Sequence, residues 1–582
     1  LSRLKIVTLG LRVAERSSCR RTVTSNNRLA SSVSNVSYLH NPGSEPLVYA
    51  TIGQALEATA HRFPGRVAVR SVYQDVTLTY EQLLSQADAL GCALRDRGLE
   101  KGDRIGIWSH NNAEWIVALV AAARVGLISV ALNPVYEKPE LKYCINKTEL
   151  KAIIIGDTLK HANYYKVIED LIPEVRRDIA GSIESKEFPS LKCIITCDKD
   201  VLPGTFTFKS LVTNKQDSSR YGFQVEPDDG SIIHFTSGTT GEPKAALDSH
   251  FGVVNNSYFL GKRQKLNEGH PVTCIQSPLF HALGSIITAA AALRHGASLV
   301  LPAPSYSVSA NMHALMAEKC TIITGTPTMY VDLVTLVRSA GVTPRLRDAL
   351  NAGAPCSPQL IRDIKQFLNA ETVSSLFGMT ETTAAVFQSL PNDNTELVAE
   401  TVGYIQDHIE TKVVDDEGKT VPFGSPGELL VRGYSTMMGY WGEPEKTRKT
   451  LGADGWLHTG DKFTLNEDGY GRIVGRLKDI IVRGGENIAP KEIEDLLNTH
   501  PDIVESQVVG VSDERLGEEL CAVVRLREGA SLTPQDVQRH CTGRLAKFKI
   551  PRILKFAEEF PKTVSGKIQK YKLRDLIESG KL

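Results

Sequence analysis

Thr236-Ser237-Gly238-Thr239-Thr240-Gly241-Glu242-Pro243-Lys244 is the stretch on which the reading of this chain turns. It follows an apolar run, Ile232-Ile233-His234-Phe235, with the character of a buried strand, and precedes a segment from Ser249 to Leu260 with helical character. Strand, glycine-hydroxyl loop and helix in that order form a phosphate-binding arrangement. Gly238 and Gly241 let the backbone approach an anion closely, so that successive N–H groups can face phosphate oxygens. Thr236, Ser237, Thr239 and Thr240 add neutral donors, and Lys244 adds a point charge suited to phosphate. The stretch is not a P-loop of the G-x-x-x-x-G-K-[ST] kind, because Pro243 precedes the lysine and Ala245 follows it. By itself it reads equally as a solvated Gly/Ser/Thr turn.

A chain of 582 residues, 42% hydrophobic and 23% charged, has length for several domains with substantial cores. With 67 basic and 67 acidic residues there is no charge footprint of a nucleic-acid binder. The 10 cysteines are scattered, and the Cys193/Cys197 pair has no second pair at zinc-site spacing, so reduced thiols are expected. The most apolar stretch, Ile116 to Leu132, is broken by Arg124 and Gly126, so no transmembrane segment is expected.

Outward from the loop, the first segment, 1–44, carries Arg3, Lys5, Arg12, Arg16, Arg20, Arg21 and Arg28 among many serines, with Glu15 the sole acid before Glu45. That is the composition of a mitochondrial transit peptide, and it points to the matrix; the plain alternative is a disordered basic tail. The chain opens on Leu1, so its natural start is expected upstream. It ends Gly580-Lys581-Leu582, with Gly where a peroxisomal signal usually has Ser. From Thr51 helical and strand patterns alternate: helices over 51–63, 80–97 and 114–125, strands at Arg104–Trp108 and Ile128–Leu132. Alternation of this kind predicts parallel sheets with crossover helices. Residues 156–228 read as peripheral helices and connections. Beyond Lys478 and Asp479 the pattern changes to short strands and helices, including a helix from Pro490 and another near Thr533-Pro534, as in a small α+β unit.

Further motifs follow in order: Ser277-Pro278-Leu279-Phe280-His281-Ala282-Leu283-Gly284, Ala352-Gly353-Ala354-Pro355, Leu376-Phe377-Gly378-Met379-Thr380-Glu381, Trp456-Leu457-His458-Thr459-Gly460-Asp461, Gly475-Arg476, Arg483-Gly484-Gly485-Glu486-Asn487 and Pro561-Lys562-Thr563-Val564-Ser565-Gly566-Lys567-Ile568. Together with the 236–244 stretch they resemble the signatures of the adenylate-forming superfamily, which comprises acyl-CoA synthetases, luciferases and the adenylation domains of peptide synthetases. The resemblance runs from about Val48 to Leu582. Stretches such as Met438-Gly439-Tyr440-Trp441-Gly442-Glu443-Pro444 and Phe548-Lys549-Ile550-Pro551 look closest to the mitochondrial medium-chain fatty acid–CoA ligases.

The resemblance implies a fold: a large N-terminal AMP-binding domain (45–477) of α/β subdomains with a distorted β-barrel, and a small mobile α+β C-terminal domain (478–582). It implies ATP and CoA as co-substrates, magnesium as cofactor and a fatty acid as the remaining small-molecule substrate. The loop Thr236 to Lys244, including Glu242 and Pro243, takes the phosphates of ATP. Gly353, Ala354 and Pro355 lie against adenine, with Phe377, Gly378 and Met379 also at the nucleotide. Thr380 reaches the α-phosphate, and Glu381 supplies the single carboxylate that magnesium often takes beside substrate phosphates. Asp461 and Arg476 hold the ribose, and Lys567 enters the site for adenylation. His281, which on its own reads more readily as a packed core residue, lies beside the acyl carboxylate. Lys478 is the hinge, and Arg483, Gly484 and Gly485 face CoA in the second half-reaction.

Adenylation joins two anions, so positioning and electrostatics can supply most of the catalysis. No Ser or Cys nucleophile is needed, because the activated intermediate is acyl-AMP. Three departures stand out. Phe377 replaces a tyrosine, Ala245 stands where glycine is usual, and Asp248 puts a carboxylate where an apolar residue is expected; the last two are expected to weaken nucleotide binding. Other adenylating enzymes and a non-catalytic relative remain as alternatives, although retention of Glu381, Asp461, Arg476 and Lys567 argues against the latter.

Overall fold

Short apolar runs buried on both faces build the centre of the molecule. Arg104–Trp108 and Ile128–Leu132 are buried at each position, as parallel strands covered on two sides must be. The helix Ala113–Val125 between them is buried almost all round; Asn112 caps its start by accepting from the Trp115 N–H, and Gly126 ends it in the left-handed conformation. The computed structural model describes residues 35–159, 162–177, 183–213, 216–222, 224–236, 243–354, 356–476, 479–483, 486–513, 515–545, 547–564 and 566–582.

Among the described residues, two large sheets carry the N-terminal part. One has eight strands, in the order Gly439–Tyr440, Lys244–Ser249, Gly230–Thr236, Ile128–Leu132, Arg104–Trp108, Ala152–Ile155, Cys193–Thr196, Phe206–Thr207. It is parallel from Gly230–Thr236 onward. The other has nine strands, with a parallel centre that includes Leu346–Asn351 and Ala370–Phe377. A five-stranded antiparallel sheet joins Tyr38–Asn41, Ile409–Val414, Gly427–Gly433, Leu457–Leu465 and Gly471–Arg476. Residues beyond 480 fold around their own sheet, with cores that include Ile493, Val508, Leu520 and Val537 on one side and Val509, Val523 and Leu573 on the other. This is the expected α/β fold with a smaller C-terminal α+β part.

Three expectations are corrected. The fold begins before residue 45, because Tyr38–Asn41 pairs with residues 409–412. The 156–228 region is not wholly peripheral: Cys193–Thr196 is buried and pairs with Ala152–Ile155, its short apolar run hidden among charged neighbours. The helix expected from Ser249 is there, as His250–Arg263 with Ser249 capping it, but the loop does not lead straight into it, because a strand, Lys244–Ser249, comes between. No helix among the described residues is long and apolar enough to cross a membrane.

Candidate active site

Thr236 stands opposite Lys244 in an antiparallel pair, so the loop between them closes a hairpin instead of opening a helix. Lys244–Ser249 has no β-branched residue; it becomes a strand because it is clasped between Gly230–Thr236 and Gly439–Tyr440, a tertiary context that outweighs local preference. Ala245 lies in this strand opposite Phe235, fully buried, where the left-handed freedom of glycine is not called upon. Ser237, Gly238, Thr239, Thr240, Gly241 and Glu242 lie outside the described residues, as do Pro355, Lys478, Gly484 and Gly485.

Lys244 Nζ stands 4.9 Å from the centre of the Tyr440 ring, and the Tyr440 hydroxyl donates to Glu381 Oε1 at 2.7 Å. One aromatic side chain thus links the lysine of the phosphate loop to the expected magnesium carboxylate. Glu381 is 8% exposed and sits in a short 3₁₀ turn, Thr380–Thr382, just beyond the strand Ala370–Phe377. That turn folds back so closely that a Cβ at Gly378 would fall 1.8 Å from the Ala384 carbonyl oxygen, which only glycine tolerates. Thr383 and Ala384 take positive φ of 45° and 87°, uncommon for residues with side chains. Phe377 packs against Phe463 and Phe387. A tyrosine enclosed there would need a partner for its hydroxyl; phenylalanine leaves none unsatisfied.

Asp461 and Arg476 are cross-strand neighbours, with Arg476 Nε 3.6 Å from Asp461 Oδ1. Asp461 is buried, whereas the Arg476 side chain is 49% exposed. Lys567 arrives from the C-terminal part on a turn in which the Thr563 N–H donates to the Lys567 carbonyl and the Lys567 N–H donates to Thr563 Oγ1. Its ammonium is pushed down to about 8, by burial first and by the like charge of Arg476 second, against the attraction of Asp461 and Glu381. Its charge is thus felt by all three groups.

Gly353, two residues past the strand Leu346–Asn351, lies in the left-handed region, and a Cβ there would lie 3.7 Å from Lys567 Cε; Ala354 follows it, partly exposed. The expected adenine element and the lysine expected to enter for adenylation are thus adjacent. Thr326, whose Oγ1 is buried with no partner among the described residues, lies beside Gly566 of the same turn.

His281 precedes a π-helix, Leu283–Ala290. Gly284 lets this segment close on Pro278, whose carbonyl oxygen would stand 2.1 Å from a Cβ there. Burial, with the positive charge of Lys567 adding to it, drives the His281 imidazole well below its ordinary range, so it is neutral at pH 7. Nδ1 accepts from the Leu283 N–H at 3.4 Å, which leaves Nε2–H as the donor.

Arg483 is placed differently from a free CoA ligand. Its guanidinium is 8% exposed and meets both oxygens of Glu519, at 2.6 and 2.8 Å. Among the described residues, polar contacts between the N-terminal part and the residues beyond 480 include Lys491 Nζ donating to the Cys356 carbonyl at 3.0 Å and Arg525 standing 3.6 Å from Asp332. Sequence reasoning gave no role to Tyr440 or Thr326; nothing local marks either, although Tyr440 lies in a stretch that carried the family resemblance.

The AMP-binding enzyme family matches residues 56–441, and the AMP-binding enzyme C-terminal domain matches residues 492–567. This chain belongs to the AMP-binding enzyme family. It is 40% identical over 557 residues to a protein of Homo sapiens described as medium-chain acyl-CoA ligase ACSF2, mitochondrial, covering 94% of this chain and 90% of that one. The Danio rerio protein of the same description is 39% identical over 93% of this chain and 91% of its own. Among solved structures, an anthranilate CoA ligase, AuaEII, in complex with anthranoyl-AMP aligns with a TM-score of 0.81 at 26% identity, over 92% of this chain and 99% of that one. ATP-bound MatB from Rhodopseudomonas palustris aligns with a TM-score of 0.78 at 26% identity, over 91% and 99%.

Proposed function

We propose that the protein is an AMP-forming acyl-CoA synthetase: it joins a fatty acid of medium chain length to AMP, releasing pyrophosphate, and then transfers the acyl group to CoA. The observation that carries this reading is the convergence of Lys567 with Glu381, Asp461 and Arg476, groups drawn from separate elements and from both parts of the chain. The medium chain length and a mitochondrial location rest on the relatives at 40% and 39% identity.

Asp461 can accept both ribose hydroxyls, and Arg476 beside it adds a donor at the same sugar. Lys244 and the loop before it face the phosphates. Lys567 bridges the acyl carboxylate and the α-phosphate, offsetting charge as the new bond forms; this is electrostatic stabilisation by a group held ready in a partly dry site. Neutral His281 offers Nε2–H to the carboxylate without trapping it as a tight ion pair. Glu381 fits magnesium, being a buried hard-oxygen donor beside the Thr380 hydroxyl, and one carboxylate completed by substrate phosphates is a usual magnesium arrangement. Bound there, the ion supplies neutralisation of phosphate charge.

For the thiol step, the segment beyond residue 478 swings about Lys478, withdrawing Lys567 and presenting the Arg483-Gly484-Gly485 loop. Arg483 then acts through its pairing with Glu519, as the fixed base of that loop. The contacts Lys491–Cys356 and Arg525–Asp332 break in the swing.

The test is acid-dependent ATP–pyrophosphate exchange with straight-chain acids from acetate to palmitate and a benzoate, repeated with CoA. Exchange peaking at medium chains with thioester formed is the expected result. Exchange confined to the benzoate would move the reading to an aryl-CoA ligase, and none with any acid, in folded protein, would leave a non-catalytic binder.

A further inference from the structure

Asp248 stands where the family resemblance leads one to expect an apolar side chain, and it is fully enclosed. It is not alone there. Asp248 Oδ1 accepts from the Thr383 hydroxyl at 3.0 Å, and Oδ2 lies 3.5 Å from His234 Nδ1. That approach is a charge contact and not a hydrogen bond, and both atoms are buried without a hydrogen-bond partner among the described residues. On the far side of the ring, His234 Nε2 is 2.8 Å from Ser285 Oγ. Asp248, His234 and Ser285 are 0%, 1% and 0% exposed. Each end of this chain of contacts touches a different piece of the site. Thr383 closes the strained turn that carries Glu381, His234 lies two residues before Thr236 of the phosphate loop, and Ser285 opens the π-helix just past His281.

The hydrogens can be counted. The His281 carbonyl accepts from the N–H groups of Gly284 at 2.8 Å and Ser285 at 3.0 Å and, at 3.1 Å, from the Ser285 hydroxyl; a link through His234 requires that hydroxyl proton to lie instead on the shorter 2.8 Å contact to His234 Nε2. Nδ1 then carries the proton and points it at Asp248. The order Ser–His–Asp is that of a hydrolytic triad, but a fully enclosed serine oxygen reaches no substrate, so the chain holds geometry instead of attacking. The outer links, Thr383 to Asp248 and Ser285 to His234, are hydrogen bonds, and the central one is a charge contact at 3.5 Å; groups so linked in the interior restrain one another.

We propose that Asp248, His234 and Ser285 form a buried positioning relay that ties the Glu381 turn to the His281 helix, setting the nucleotide and acyl halves of the site in register. This rests on the adenylation reading above. On this view Asp248 is not a defect beside the phosphate loop; His234 is its compensation.

The test uses variants of the full chain, with melting temperature measured beside kinetics. Asp248→Asn keeps the shape and the bond from Thr383 but turns donor toward Nδ1, reversing the histidine tautomer. It is expected to lower kcat/KM of pyrophosphate exchange by about 10–100-fold, raising KM for acid and for ATP together while melting stays close to that of the unaltered protein. Ser285→Ala is expected to act in the same direction more weakly. The losses in His234→Gln and Asp248→Leu are expected not to multiply in the double variant, because the two share one network. Asp248→Asn and Ser285→Ala each leaving kcat and both KM values within about twofold would overturn the relay, as would single losses that multiply. A ¹⁵N-histidine spectrum reads the geometry without turnover: Nδ1 of His234 protonated, moving to Nε2 in Asp248→Asn. An unchanged tautomer overturns the relay, whereas the expected shift with no acid supporting exchange upholds the relay and overturns the ligase reading.

Discussion

Glu381 and Asp461 belong to the N-terminal part, buried and each already answered by a neighbour, Tyr440 in one case and Arg476 in the other. Lys567 belongs to a part with cores of its own and reaches the same place on a turn braced by Thr563. One side is fixed by strand register; the other is delivered. A charge that is delivered can also be withdrawn, which is what a two-step reaction with one site requires.

The largest test of that difference is Lys567→Met. Pyrophosphate exchange is expected to fall by about a thousandfold, the order seen when one preorganised transition-state donor is lost. Thioester formation from supplied acyl-AMP should stay close to that of the unaltered enzyme. Equal loss of both steps would mean that the lysine is part of the fixed side.

Arg483→Ala addresses the base of the second loop. It leaves the buried Glu519 carboxylate to Arg552 at 3.5 Å and the Leu520 N–H at 2.8 Å, and should destabilise the protein by about 3 kcal/mol, read from denaturant unfolding. A variant as stable as the parent would show that the pair is dispensable.

The delivered lysine should leave a mark in pH. With its ammonium pushed down to about 8, kcat/KM for exchange is expected to fall about tenfold per pH unit above that value, because this ratio reports the free enzyme. Arg476→Gln removes a like charge and should move the limb to higher pH; Asp461→Asn should move it lower. The stability sign is opposite to that of a salt-bridged lysine. The fold holds this proton less tightly than the unfolded chain does, so the buried charge costs stability at neutral pH, and the cost is relieved as pH rises from about 8 toward the ordinary lysine value. The smallest effect belongs to Tyr440→Phe, about 1 kcal/mol for one hydrogen bond, seen as a weaker magnesium dependence of exchange.

Much of this was legible from sequence where local pattern and tertiary fate coincide. Arg104–Trp108 and Ile128–Leu132 are strands with the bounds their apolar runs suggest, and the helices over 51–63 and 80–97 differ only at their ends. Glu381, Asp461, Arg476 and Lys567 could be named because each sits in a motif. The strand Lys244–Ser249 could not be seen, since its pairing with Gly439–Tyr440 comes from far along the chain. For the same reason Asp248 looked like a liability: its partner His234 lies on the other side of the loop, and nothing in either residue's neighbours announces that they meet.

The π-helix after His281 has a consequence for how this site could have come about. Its wider turns place the Thr288 hydroxyl on the Leu283 carbonyl, five residues back, at 2.8 Å. Such a segment behaves like an α-helix that has absorbed one extra residue. Deleting a single residue there would let the ordinary winding return with the flanking turns left nearly in place, while side chains within the bulge would turn by up to about 100°. Ser285 would then face away from His234 while the core composition stayed the same. The meeting of Ser285 with His234 thus depends on the length of one helix as well as on its side chains, and an insertion or deletion would undo it as surely as a substitution at either residue.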